Sequence, residues 1–203
     1  LRTARALADI ADGFALLELE AAVALRDAGY RQPILLLEGF FEPDDLAVCA
    51  KYSLIPAVHR IEQLQLIRAA AFPEPMPVYL KLNTGMNRLG FTLEQLPAVK
   101  SELAASSAIG SVTLMTHFAE ADGERGIAWQ MERFGKMREG WNCPVSMANS
   151  AAILRFPQTA RDWMRPGIML YGGSPFADTS AQSLGLKPVM TLSSKILAVQ
   201  DVP

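Results

Sequence analysis

Cysteine is scarce in this chain of 203 residues: Cys49 and Cys143 are the only two, and neither belongs to a C-x-x-C pair. That spacing offers no zinc site and no disulfide framework, so no metal is expected and both thiols are read as reduced, as in a cytoplasmic protein. Blocks of like charge are absent too. With a net charge of −2 and a pI near 5.7, neither a nucleic-acid backbone nor an anionic membrane surface is an expected partner, and a small molecule is. No uncharged apolar run approaches the roughly 18 residues needed to cross a bilayer. Internal repeats and low-complexity stretches are also lacking. What the chain does have is apolar content: half of its residues, enough for one sizeable core. It opens on Leu1 rather than methionine, which leaves room for a targeting segment upstream.

Short apolar runs alternate with longer helical patterns, the signature of strand-helix units around a parallel sheet. Seven strands are expected, at Gly13–Leu17, Ile34–Leu37, Pro56–Val58, Met76–Leu82, Ser111–Thr116, Val145–Met147 and Met164–Leu170. Ile34-Leu35-Leu36-Leu37 is continuously apolar, as a strand buried on both faces should be. Helices are expected at Glu18–Ala28, Asp44–Lys51, Ile61–Ala71, Leu93–Ala105 and Ile127–Glu139, the first of them closed by Gly29. Seven units of about 30 residues make an incomplete (β/α)8 TIM-type barrel of the α/β class. Leu1–Ile10 reads as a helix whose feeding strand lies upstream, so the barrel's first strand is expected to be missing. Residues 1–186 are assigned to this partial barrel. Residues 187–203, with the β-rich stretch Val189–Val199, are assigned to the start of a further β domain.

Lys81, His117, Asn149 and Arg165 come from four different units, yet each falls at or just past a strand's carboxyl end. In a barrel all such ends open on one face, so four polar residues spread over more than 80 positions converge. Arg165-Pro166-Gly167-Ile168 adds a guanidinium to backbone amides that a proline and a glycine leave free to approach a ligand. Beside Asn149-Ser150, at the start of a helical turn, this makes a candidate phosphate cradle. His59 follows a strand and is read chiefly as a helix-start residue, Glu38, Asp122 and Glu124 as solvated carboxylates, and Met86 and Met115 as core.

Four stretches carry a family resemblance: K-L-N-T-G-M-N-R-L-G (Lys81 to Gly90), T-H-F-A (Thr116 to Ala119), A-N-S-A-A (Ala148 to Ala152) and M-R-P-G-I-M-L-Y-G (Met164 to Gly172). Together they resemble the pyridoxal-phosphate-dependent alanine racemases, over almost all of this chain but only the middle of that family's. The resemblance implies pyridoxal 5'-phosphate as cofactor. Arg165 would face its pyridine nitrogen; because a guanidinium does not give up its proton, the ring stays a weaker electron sink than one paired with aspartate. Asn149, Ser150, Gly167 and Ile168 would hold the phosphate, and His117 would lie against the ring. Arg88 would contact the phenolic oxygen and the substrate carboxylate. Lys81 matches a lysine often carbamylated in the family, and the carbamate would orient Arg88. Many relatives carry aspartate where this chain has Asn83, which alters the local charge balance.

The implied activity is interconversion of L-alanine and D-alanine by two-base proton transfer on a pyridoxal phosphate aldimine, in a homodimer, supplying D-alanine for peptidoglycan or consuming it in catabolism. Two elements of that mechanism have no counterpart here: the lysine motif V-x-K-A-N-A-Y-G-H-G, and the carboxyl-terminal domain that supplies a tyrosine to the opposite face of the substrate. The chain alone is therefore expected to be inactive. The alternatives are a serine or broad-specificity racemase of the same family, a noncatalytic cofactor-binding or oligomerising remnant, and a barrel for some other phosphate ester.

Overall fold

The computed structural model describes residues 1–202. A short helix, α1 (Arg2–Leu7), precedes six strands: β1 (Phe14–Leu16), β2 (Ile34–Leu36), β3 (Ile55–Val58), β4 (Met76–Lys81), β5 (Ile109–Met115) and β6 (Val145–Ser146). They form one sheet in sequential order, every neighbouring pair parallel. Helices α2 (Leu19–Asp27), α3 (Pro43–Lys51), α4 (Ile61–Ala69), α5 (Leu96–Ala104) and α6 (Ala128–Arg138) make the crossovers, and α7 (Ser150–Arg155) follows β6. The result is an α/β arc of strands, an incomplete TIM-type barrel as the periodicity predicts.

Strand parity divides the core into two layers, because successive side chains point to opposite faces. Ile34, Leu36, Val58, Val78, Leu80, Leu114 and Val145 face outward and join the large cluster beneath the helices. Leu35, Ala57, Tyr79 and Met115 face the barrel interior, where Trp163 packs against them. Local chemistry sets the helix ends. Gly29 takes φ +90° after α2, and Phe41 and Glu42 both donate their amides to the Asp45 carboxylate at 3.0 Å to start α3. Below the sheet, the Arg26 guanidinium donates to the carbonyls of Tyr30, Gln32, Tyr52 and Ser53 at 2.8–3.0 Å, knitting two units together.

One sequence expectation is corrected. The seventh strand, expected at Met164–Leu170, shrinks to one parallel bridge between Trp163 and Ser146, followed by a 3-10 turn at Ile168–Tyr171. Pro166 has no amide to give a ladder, and the Arg165 amide turns instead to the Ala148 carbonyl at 2.9 Å. Residues 189–199, read on sequence as β-rich, carry no strand, and the Val189 amide donates to the Tyr171 carbonyl at 3.4 Å. Their apolar side chains are exposed, Leu192 at 98% and Leu197 at 99%.

Burial therefore predicts a contrast within the 203-residue chain. Leu80→Ala, at a side chain with no exposure, is expected to lower stability by about 3 kcal/mol. Leu192→Ala is expected to change it by less than about 0.5 kcal/mol. Urea unfolding followed by circular dichroism reads both, and equal losses would contradict the assignment of the core.

Candidate active site

The β4–β5 register places Lys81 opposite Met115 and Tyr79 opposite Thr113. Lys81 therefore shares the inward face with Tyr79, one step nearer the carboxyl end, and is 4% exposed. The chain after it makes a closed loop rather than an open one. The Phe91 amide donates to the Lys81 carbonyl and the Asn83 amide to the Phe91 carbonyl, both at 2.8 Å. Gly90 makes this return possible: it sits at φ +120°, and a Cβ there would come within 3.0 Å of the backbone at Lys81, Leu82 and Asn83. Within the loop, Asn83 Oδ1 accepts from the amides of Gly85 and Asn87 at 3.1 and 3.0 Å, while its Nδ2 donates to Asn87 Oδ1 at 3.2 Å. An aspartate could make the first two bonds but not the third. Arg88 stands exposed on this loop.

His117 lies two residues past β5, half-buried, with Thr116 and Met115 buried beneath it. Arg165 reaches into the same region from the segment after Trp163. Its guanidinium donates to the Ser146 hydroxyl and to the carbonyls of Thr116, at 2.6 Å, and Met147, at 3.3 Å. Ser146 faces inward by the same parity that places Met115 opposite it. Burial, and after it the Arg88 and Arg165 charges, pull the Lys81 amine down to about 8, with Glu38 as the one carboxylate acting in the opposite sense. Burial and the same cations, Arg165 first, push His117 down to about 4, so its imidazole is neutral at pH 7. Burial brings Arg165 to about 10, still fully protonated. Among the described residues, no ion pair involves Lys81, Arg88 or Arg165. The mouth thus gathers positive charge that no ion-paired carboxylate among the described residues offsets, Glu38 acting on Lys81 only from farther away.

Beside it lies the expected cradle. Ser150, buried, accepts the Gly167 amide at 2.9 Å and the Met169 amide at 3.4 Å, which leaves its own proton to donate. The Ile168 amide between them has no acceptor among the described residues. A Cβ at Gly167 would meet only Ser150 Oγ, at 4.0 Å, so a side chain there would intrude on the open space before the cradle and on little else. Asn149 uses its side chain within the chain: Oδ1 accepts from the Ala152 amide at 3.0 Å to cap α7, and Nδ2 donates to the Phe118 carbonyl at 3.2 Å. Ile168 is exposed and offers its amide rather than its side chain. A hydroxyl, one free amide and nearby cations fit a phosphate group, and a neutral imidazole with a proton-retaining guanidinium fits a flat nitrogen heterocycle.

Of the residues weighed on sequence, Lys81, Arg88, His117 and Arg165 come close enough to act on one another electrostatically, with Ser150, Gly167 and Ile168 forming the cradle next to Arg165. His59 also turns toward the mouth, its Nε2 within 3.0 Å of the Glu38 carbonyl. Sequence reasoning passed over Tyr79, Thr84, Thr116, Gln130 and Ser146. The two-residue parity counted back from Lys81 would have found Tyr79; the others depend on pairing register and on contacts between units.

A family model described as alanine racemase, N-terminal domain, matches residues 1–175. The alanine racemase of Nitrosospira multiformis is 55% identical over 205 residues, covering 100% of this chain and 57% of that protein. Among solved structures, the biosynthetic alanine racemase from Pseudomonas aeruginosa superposes with a TM-score of 0.86 at 41% identity, over 91% of this chain and 52% of that one. The histidine racemase from Leuconostoc mesenteroides subsp. sake does so with a TM-score of 0.74 at 26% identity, over 84% and 48%. This chain spans about half the length of these relatives, between 48% and 57%. By its sequence and by the fold that sequence takes, it belongs to the alanine racemase N-terminal domain family.

Proposed function

We propose that the full-length protein interconverts L-alanine and D-alanine using pyridoxal 5'-phosphate, and that this chain supplies the cofactor-binding wall of its active site. The observation that carries the reading is the convergence of Lys81, Arg88, His117 and Arg165, with no ion-paired carboxylate among the described residues, beside the Ser150–Gly167–Ile168 cradle. In this reading the Ser150 hydroxyl and the Ile168 amide hold the phosphate, while Gly167, its own amide bound to Ser150 Oγ, keeps the space in front of them open. When bound, the cofactor supplies an electron-accepting ring that acidifies the substrate's α-hydrogen. Arg165, fixed by Ser146 and the Thr116 carbonyl, offers a hydrogen bond to a ring nitrogen but no proton. Arg88, exposed on its loop, is free to meet the substrate carboxylate in a two-point fashion. His117 lies against the ring as a neutral imidazole. The two bases that move the α-proton are not among the residues assigned here, and the 203-residue chain by itself is inactive in this reading. Residues 187–203 are assigned to the start of a second domain, and a cytoplasmic homodimer is the working assembly. None of the described helices is long and apolar enough to cross a membrane.

Lys81 has a specific place in this scheme. With its pKa drawn down to about 8, a fraction on the order of one tenth is free amine at pH 7. That amine can add carbon dioxide, forming an N–C bond and releasing a proton, and the carbamate so formed is the anion that this cationic mouth lacks.

Four measurements test the reading. In the full-length protein, conversion of L-alanine to D-alanine is expected to outpace that of L-serine, L-histidine and L-lysine. Faster turnover of a bulky basic substrate would replace alanine, and uptake of pyridoxal phosphate without racemisation of any of them would favour the noncatalytic remnant. Arg88→Lys keeps the charge but loses the planar fork, and is expected to lower kcat/KM for alanine by about 100-fold. The third measurement concerns Lys81 in the cofactor-free 203-residue chain. Below pH 8 its amine is protonated folded and unfolded, so the fold bears the full penalty of a buried charge; between about 8 and the ordinary value of 10.5 the penalty fades. Lys81→Met is therefore expected to stabilise the chain by about 2 kcal/mol at pH 7 and by progressively less toward pH 10.5. Native mass spectrometry in bicarbonate should add the mass of one carbon dioxide to the wild type and not to Lys81→Met.

A further inference from the structure

Three buried polar side chains at the mouth have no part in the chemistry proposed above: Thr84, Thr116 and Gln130, none more than 1% exposed. Their hydrogen bonds resolve into one direction. Gln130 Oε1 accepts from the Ala119 amide at 2.7 Å, so its Nε2 protons face Thr84 Oγ1 at 2.8 Å and the His117 carbonyl at 3.0 Å. Thr84, accepting there, passes its own proton to Thr116 Oγ1 at 2.7 Å, and Thr116 donates to the Leu82 carbonyl at 3.0 Å. Every side-chain donor of the three is used.

Each end of this relay touches an element that carries a cation. Thr84 and Leu82 belong to the loop that holds Lys81 and Arg88. The Thr116 carbonyl is an acceptor of the Arg165 guanidinium at 2.6 Å, and the His117 backbone is the segment that Gln130 grips from the other side. These elements bear like charges and would spread apart in the absence of a tie. A second buried glutamine shows what a purely structural tie needs. Gln63, like Gln130 the third residue of its helix, accepts from the His59 amide at 2.9 Å and donates to the Phe40 carbonyl at 3.1 Å, with no threonine relay. The relay is the part that the backbone does not require.

We propose that Gln130 is a positioning residue for the anion site: through Thr84 and Thr116 it fixes the separation of Lys81 and Arg88 from Arg165 and His117 against the repulsion among the cations. This rests on the reading of the mouth as a pyridoxal phosphate site. The test is the half-saturating pyridoxal phosphate concentration on reconstituting the cofactor-free full-length protein. Gln130→Met and the near-isosteric Thr84→Val are expected to weaken uptake about tenfold, one buried relay having been broken. Thr84→Ser, which keeps the hydroxyl, should restore it to within about twofold. Val99→Ala, which truncates a fully buried side chain in α5 away from the mouth, controls for lost stability and should leave the concentration unchanged. The Thr84 pair carries the test if Gln130→Met fails to fold. Wild-type uptake in Gln130→Met and Thr84→Val, or equal weakening in Val99→Ala, overturns the role of Gln130 and leaves the cofactor site standing. No uptake by the wild type overturns both.

Discussion

The register between β4 and β5 is the constraint from which the site follows. Tyr79, Leu80 and Lys81 pair with Thr113, Leu114 and Met115, and a slip of one residue would send Lys81 into the apolar layer under the helices and Leu80 into the mouth. That slip is opposed from both sides. Leu80 and Leu114 are fully buried against the helical layer, while Tyr79 and Met115 fill the interior. The register therefore places an ammonium group on an inward-facing position because its neighbours leave it no other. Arg165 extends the same logic to the next strand, since Ser146 must face inward for its hydroxyl to meet the guanidinium.

This placement sets the fold against its site. The Arg88 and Arg165 charges disfavour protonation of Lys81 and, with Lys81, of His117, and no carboxylate among the described residues forms an ion pair with these cations. A domain optimised for stability alone would put apolar groups there. In the function proposed above, the cost of bringing these cations together is recovered when an anion binds, so the feature that weakens the fold on its own is the one that would give a phosphate or a carboxylate its affinity. It also explains why the loop after β4 is so heavily cross-bonded, with Gly90 pressed against the strand end and Asn83 turned back on Asn87. A loop bearing an arginine toward other cations has to be held in place.

How much of this was legible in the sequence depends on the range of the interaction. Continuous apolar runs such as Ile34 to Leu36 and the glycine after α2 are local signals, and the strands and helices they mark lie within a few residues of their expected bounds. The convergence of Lys81, His117 and Arg165 was legible as well, because strand ends in a parallel barrel share one face. Thr84, Thr116 and Gln130 were not: nothing near Gln130 in the sequence distinguishes it from a surface glutamine, and only the packing of α6 over the loops after β4 and β5 buries it. Met164–Leu170 misled for the opposite reason. Its composition favours a strand, but a proline at its third position and an arginine with better partners elsewhere override that preference.

The loss of that seventh strand changes what holds the last unit in place. A ladder would have spread the load over several backbone bonds, whereas here one bridge at Trp163 is supplemented by side chains. The Trp163 indole packs into the interior cluster, and a Cβ at Gly13, just before β1, would lie 3.3 Å from its ring. One aromatic side chain thus links the end of the arc to its beginning across the floor of the barrel. Above it, the Arg165 guanidinium ties the same segment to β5 and β6 through the Thr116 carbonyl and the Ser146 hydroxyl. Arg165 is therefore part of the wall as well as of the site, and this double duty accounts for a protonated guanidinium persisting where it is partly withdrawn from water: the groups that desolvate it are also those that accept its hydrogen bonds.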